Sequence, residues 1–255
     1  MSDWSALKNE LATWRAEGRE LDIWWRDDDA VAPTRPLDQL LSLADKLHCP
    51  VHLAVIPAGS TDDLALLCAG NPLAPVLVHG WAQQSHSPEG EKKAEFGAHR
   101  ALNAMVQDAK AGLSRLQGQF GASLVPAFVP PWNRISPELV AALPSLGYLI
   151  LSTYKPRKSP EPVPGLSQIN THLDPIEWRG SRSLVDEPSL VNKVSVDLAR
   201  RRLGLDDASE PYGVLTHHLV HDRSIWDFTE RLLAELLDGG AQPSHIGNCL
   251  AEAAE

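Results

Sequence analysis

The chain has 255 residues, with 33 acidic and 23 basic side chains, a net charge of −10 and 43% hydrophobic residues. That length suits one large domain with a substantial core, and the lack of a basic stretch that would track phosphates argues against nucleic-acid binding. No apolar run reaches the length of a membrane span, and three scattered cysteines, Cys49, Cys68 and Cys249, form neither a zinc ribbon nor a disulfide framework.

In chain order, the N-terminal stretch is polar and lacks the apolar core of a signal peptide, so a cytoplasmic location is expected. Trp4, Leu7, Leu11 and Trp14 recur at helical spacing, with Gly18 as the stop. "LDIWWR" reads as a strand that ends at three consecutive acids, Asp27, Asp28 and Asp29. Residues 36–48 read as an amphipathic helix and 50–57 as a buried strand. A short helix capped by Thr61 follows. "APVLVHG" is the third strand and ends on His79. The span 90–121 carries helical periodicity, with Gly97 as an interruption.

"SLVPAFVPPWNR" (123–134) reads as a strand running into a proline turn. A helix capped by Ser136 comes next, then the strand "YLILSTY" and a proline-rich loop over 156–170. "EPSLVNKVSVDLARRRLG" is helical. "YGVLTHH" is a buried strand ending in His217 and His218, and "SIWDFTERLLAELLDGG" closes the chain as a helix that Asp222 can cap. Strand and helix alternate with no repeat and no linker. The expected class is therefore α/β with a parallel sheet, one domain over 1–255, of a size that suits a (β/α) barrel with fewer than eight regular strands.

The polar residues fall at strand ends, and in parallel barrels the C-terminal strand ends share one face. Three adjacent carboxylates repel each other, and a cation turns that repulsion into attraction. An Asp with a His offers oxygen and nitrogen ligands to a divalent ion. A separate His can protonate a leaving group. Taken singly, each signal has a plainer reading. The acid triplet suits a solvated turn, "PPW" a rigid turn, and "DPIEW" either a loop or a helix start capped by Asp174 with Pro175 behind it. Of two adjacent histidines on a strand, only one can face the pocket. His48, His52, His99, His172 and His245 read as structural or exposed, with His172 near enough to Asp174 to line the groove.

Taken together, the ordered set resembles the polysaccharide deacetylases. The resemblance runs from about residue 21 to 222 and implies a distorted, seven-stranded (β/α) barrel. By this resemblance Asp28 is the general base and Asp29 a metal ligand, with Asp27 and Asp28 as the alternative register. "HGWAQQSH" supplies the ligand His79, but Gln83 stands where the second His belongs, and His86 is the substitute nearby. "VPPW" keeps Pro131 and Trp132 for the substrate groove but puts Val129 at an Arg position, so Arg134 is expected to supply the missing charge. "DPIEW" gives Asp174, Glu177 and Trp178, and "VLTHH" gives His217 as general acid. The implied activity is a hydrolase that uses a divalent metal, expected to be zinc, to remove an acyl group, most simply acetyl, from an N-acylated sugar or related small molecule. Neither a nucleic acid nor a membrane is an expected partner, and the oligomeric state is left open. Gln83 and Val129 also keep a different reading alive, a carbohydrate-binding or interaction module that has lost its metal.

Overall fold

In a computed structural model that describes residues 3–248, seven parallel strands form a curled sheet flanked by helices. The strands are β1 (Asp22–Ala30), β2 (Val51–Val55), β3 (Val76–His79), β4 (Leu124–Val129), β5 (Ile150–Leu151), β6 (Ser167–Gln168) and β7 (Tyr212–Thr216). Their order is β6-β5-β4-β3-β2-β1-β7, and a short β8 (Gln242–Pro243) pairs with the start of β1. The helices are α1 (Ser5–Ala16), α2 (Arg35–Leu47), α3 (Asp62–Cys68), α4 (Leu102–Phe120), α5 (Pro137–Ala142), α6 (Glu187–Arg202) and α7 (Arg223–Asp238).

The two ends of the sheet meet through an irregular stretch. Ile169 and Thr171 donate backbone bonds to Leu151 and Thr153 on the β5 side, and Leu215 of β7 donates to the Leu173 carbonyl at 2.8 Å. The result is a distorted (β/α) barrel.

Side chains on a strand alternate between faces, and here that period separates two cores. Trp24, Ala54, Leu77, Val125, Ala127, Val129 and Ile150 fill the inside of the barrel. Ile23, Trp25, Leu53, Val55, Val76, Val78, Phe128 and Val214 pack outward against the helices. Continued upward, the inner column of β1 runs Trp24, Arg26, Asp28, and that of β3 runs Leu77, His79. The polar residues are thus the top layer of an otherwise apolar interior.

Helix starts follow their capping side chains: Thr34, Thr61, Ser136, Asp186 and Asp222 each accept a bond from a backbone N–H three residues on. This satisfies a donor that the first turn leaves free.

Three expectations need correction, and one open alternative, at Asp174, is decided. β1 does not stop at the acids but runs through them to Ala30. The helix expected from residue 90 begins only at Leu102, and 80–101 form an irregular loop. Its early apolar positions, Ala94 and Phe96, pack into the body through a bridge to Ile135 rather than on a helix face. The proline-rich loop contains β6, a strand too short to leave an alternating signal. No helix starts at Asp174; its carboxylate instead accepts from Ile176 N, a turn within the loop.

Cys49 and Cys68 are buried free thiols, pushed up to about 12 by burial. Cys249 lies outside the described residues. Among the described residues no helix is long and apolar enough to cross a membrane.

Candidate active site

A cavity of about 490 Å³ opens at the C-terminal ends of the strands, lined by Asp28, Asp29, His79, Gln83, Trp132, Asn133, Arg134, Tyr154, Asp174, Trp178, Arg182 and His217. The three acids of β1 do not share it. Asp27 points outward and is fully buried, where it accepts from Thr216 Oγ1 at 2.7 Å and His218 N at 3.0 Å, with His218 Nδ1 at 2.5 Å from its other oxygen. Burial pushes the Asp27 carboxyl up, but the His218 charge and hydrogen bonds outweigh it and hold it below the usual range. Asp28 faces inward, so the acids that share the cavity are Asp28 and Asp29.

A regular strand would turn those two neighbours to opposite faces. A bulge prevents this: Asp28 pairs with Ala54 and Ala30 with Val55, leaving Asp29 as the extra residue at φ 78°. The inserted residue bends the strand and re-aims its side chain. Among the described residues Asp29 is one of seven non-glycine residues with positive φ, and four more of them, Gln83, Trp132, Asn133 and Arg182, line the same cavity. Such backbone is costly for L-residues and gathers where the surroundings enforce a particular side-chain aim.

Asp28 is held by Arg26, two residues earlier on the same face. Arg26 is fully buried; its Nε lies 2.8 Å from Asp28 Oδ1, and Nη2 donates to Oδ2 at 3.0 Å. Its remaining bonds go to Ser152 Oγ at 2.8 Å, the Thr153 carbonyl and Asn133 Oδ1 at 3.0 Å. The guanidinium beside Asp28 is therefore Arg26 and not Arg134, whose Nη1 donates to the Lys93 carbonyl at 2.6 Å. The i, i+2 spacing of Arg26 and Asp28 was the available signal, since it puts both on one strand face.

Beside this pair lies a second. His79 Nδ1 donates to the Val129 carbonyl at 3.0 Å, which leaves Nε2 facing Asp29 Oδ1 at 3.1 Å. Gln83 Nε2 also donates to Asp29 Oδ1, at 2.5 Å. Burial pushes the His79 ring down, but Asp28 and Asp29 more than offset this and raise it above the ordinary imidazole value. For Asp29 burial pushes up, and the His79 bond and charge bring the carboxyl below its usual range.

His217, the next inward position after Leu215, sits 4.0 Å from Asp28 Oδ2, its ring edge-on to Trp178 at 4.7 Å. His218 faces outward to Asp27, so only one of the two histidines reaches the cavity. Trp178 donates to Asp174 Oδ2 at 2.7 Å. Burial holds the Asp174 carboxyl above its usual range despite the His217 charge and this bond, and Asp28 adds to the rise.

Several expected residues lie elsewhere. His86 is exposed and outside the cavity lining, because the loop turns it outward while its backbone N–H pairs with the Ala94 carbonyl. Pro131 is buried against Gly80, whose φ of 55° and closeness to Pro131 leave no room for a Cβ. Pro131 thus shapes the turn that carries Trp132. Glu177 is exposed and bonds the Ser181 backbone and hydroxyl. His172 is buried behind the sheet, where its ring meets Glu210 and Arg201. Arg26, Asn133, Tyr154 and Arg182 are the site residues the sequence reading missed. Among the described residues, no three His, Cys, Asp or Glu side chains gather as a metal cluster.

The fold is that of solved polysaccharide deacetylases and family 4 carbohydrate esterases. The chain is similar to the family 4 carbohydrate esterase of Streptomyces lividans solved in complex with acetate, at 13% identity over 88% of this chain and 92% of that one, TM-score 0.57. It is similar to peptidoglycan deacetylase PdaC from Bacillus subtilis, at 15% identity over 92% of both chains, TM-score 0.54. A family 4 acetyl xylan esterase from Clostridium thermocellum, in complex with a cobalt ion, matches at 13% identity over 86% of this chain and 85% of that one, TM-score 0.53. No protein-family model matches the chain, and no curated protein matches it in sequence.

Proposed function

We infer that this protein is a hydrolase that removes an acyl group, most simply acetyl, from an N-acylated saccharide, with Asp28 as base and His217 as acid. The observation that carries this reading is the meeting, in one cavity, of a clamped carboxylate, a histidine 4.0 Å from it and an Asp–His pair alongside.

Asp29, His79 and the Gln83 amide fit a divalent cation. The His79 ring is fixed by its Nδ1 bond to a carbonyl, the usual support of a ligating imidazole, and its Nε2 meets a carboxylate oxygen. An amide can turn to present its oxygen. One carboxylate, one imidazole and one amide make a weaker zinc set than two imidazoles. A bound cation would polarise the acyl carbonyl and ease deprotonation of water. The chain's own part is then defined. Asp28, aimed by Arg26 and Asn133, accepts the proton of the attacking water. His217, braced by Trp178, donates a proton to the departing amine. Trp132 and Trp178 present aromatic surface to the sugar.

One observation favours the second reading, a binding module without catalysis: Gln83 and His79 already satisfy Asp29 Oδ1 without an ion. Metal analysis after purification without chelator, followed by acetate release from chitooligosaccharides under titration with zinc, cobalt and manganese, separates the two. The hydrolase reading expects one ion per chain, lost in His79→Ala, together with acetate release. No bound ion and no acetate under any titration would leave the module.

A further inference from the structure

We propose that the substrate of this site carries an oxyanion, a carboxylate or a phosphate, received at the cavity rim by Arg134 and Arg182; the inference rests on the acyl-sugar reading above. The chain is strongly acidic, yet two arginines line its main cavity. They are not there to balance the acids of the floor. Asp28 is matched by Arg26, Asp29 by His79, and Asp174 by bonds from Ile176 N and Trp178. Among the described residues, neither rim guanidinium meets a carboxylate. Arg134 donates Nη1 to the Lys93 carbonyl, and Arg182 lies over the Trp178 ring at 5.6 Å.

The backbone beneath each is fixed, and Arg134 is also tied by its side chain, whereas the Arg182 side chain is exposed beside Trp178. Arg182 sits in a hairpin that follows Asp174. Ile176 bridges Leu184, Glu177 N donates to the Ser183 carbonyl, Arg182 N returns to the Glu177 carbonyl, and the Ser183 hydroxyl bonds Asp222 at the start of α7. Arg182 takes a left-handed φ of 57° within this turn. Arg134 follows the left-handed pair Trp132 and Asn133 and is pinned to the 80–101 loop through Lys93. Anchoring one nitrogen of Arg134 leaves the rest of its fork free. A stacked or anchored guanidinium loses little freedom on gripping a planar or tetrahedral oxyanion. A neutral glycan would leave both charges unused. Through Trp178, Arg182 also adjoins His217, so the anion would sit on the substrate that is being deacylated and not at a remote site.

The test compares three sugars that differ only at C6: N-acetylglucosamine, its 6-phosphate and its 6-carboxylate (the uronic acid). Binding is measured by calorimetry on the full chain carrying Asp28→Asn, so that no turnover intrudes. The proposal expects at least one anionic sugar to bind about tenfold or more tighter than the neutral one. That ratio should shrink toward one in added Arg182→Gln and in added Arg134→Gln, and Arg182→Lys should restore it only in part. Which anion binds better tells carboxylate from phosphate. Equal affinity for all three sugars, or a ratio unmoved by either Gln variant, overturns the proposal. Acetate release by the unmodified chain is scored separately. Release with no anion preference sinks this inference alone, whereas no release from any of the three or from chitooligosaccharides sinks the hydrolase reading.

Discussion

Asp27 and Asp28 are neighbours on one strand, both buried and both paired, yet their surroundings set them to different work. Asp27, on the helix side, is closed in by Thr216, the His218 backbone and the His218 ring. It ties β1 to the end of β7 and has no path to a ligand. Asp28, on the barrel side, is gripped from behind by Arg26 and still lines an open cavity. Residue type and burial are nearly the same for the two. What separates the closed-in carboxylate from the one that faces the cavity is which face of the strand it occupies and whether its free lone pairs meet protein or solvent.

The largest expected effect lies on the cavity side. Asp28→Asn should lower acetate release about 10²–10⁴-fold, the range for loss of a general base. The amide keeps the shape but leaves the fully buried Arg26 without its counter-charge, so stability should fall as well, and release is scored on chain that denaturant unfolding shows to be folded. A variant that released acetate at the wild-type rate would remove the contrast at once.

On the other side, Asp27→Ala should act chiefly on stability. It leaves His218 buried without its counter-charge, and breaking such a pair costs about 3–5 kcal/mol of stability. Denaturant unfolding checks this. If stability stayed unchanged while turnover fell, Asp27 would belong to the chemistry after all. Because β7 also carries His217, some loss of turnover should accompany the loss of stability.

A smaller, graded effect sharpens the comparison from β2, beside β1. His52 is fully buried, with Nδ1 on the Trp25 carbonyl and Nε2 accepting from Ile246 N. Burial, aided by His245, pushes its ring down to about 3. The folded value lies below the unfolded one, so the unfolded chain takes up a proton first as pH falls. Stability should drop from about pH 6.5 down to about 3, by up to roughly 1.4 kcal/mol per pH unit. In His52→Gln the slope of melting temperature against pH over that window should flatten. An unaltered slope would mean that other groups govern acid unfolding.

The sequence by itself determined much of this protein. Alternating strand and helix patterns set the layered α/β class, and period-two alternation allowed only one of His217 and His218 to face the pocket. Capping residues such as Thr61, Ser136 and Asp222 marked helix starts, because these signals act over three or four residues. The barrel-end placement of Asp28, Asp29, His79, Trp132, Asp174, Trp178 and His217 was legible from ordered motifs.

Only the tertiary structure decided the rest. The bulge at Asp29 depends on how β1 pairs with β2 and leaves no mark in composition. Arg26 took the place beside Asp28 because a strand face fixes it there, whereas Arg134 lies beyond a turn that sends it to Lys93. His86 went outward and Arg182 inward through loop paths set by bonds to distant segments. Local periodicity is written in neighbouring residues; the aim of a side chain at a loop or bulge is set by partners that meet only once the barrel closes.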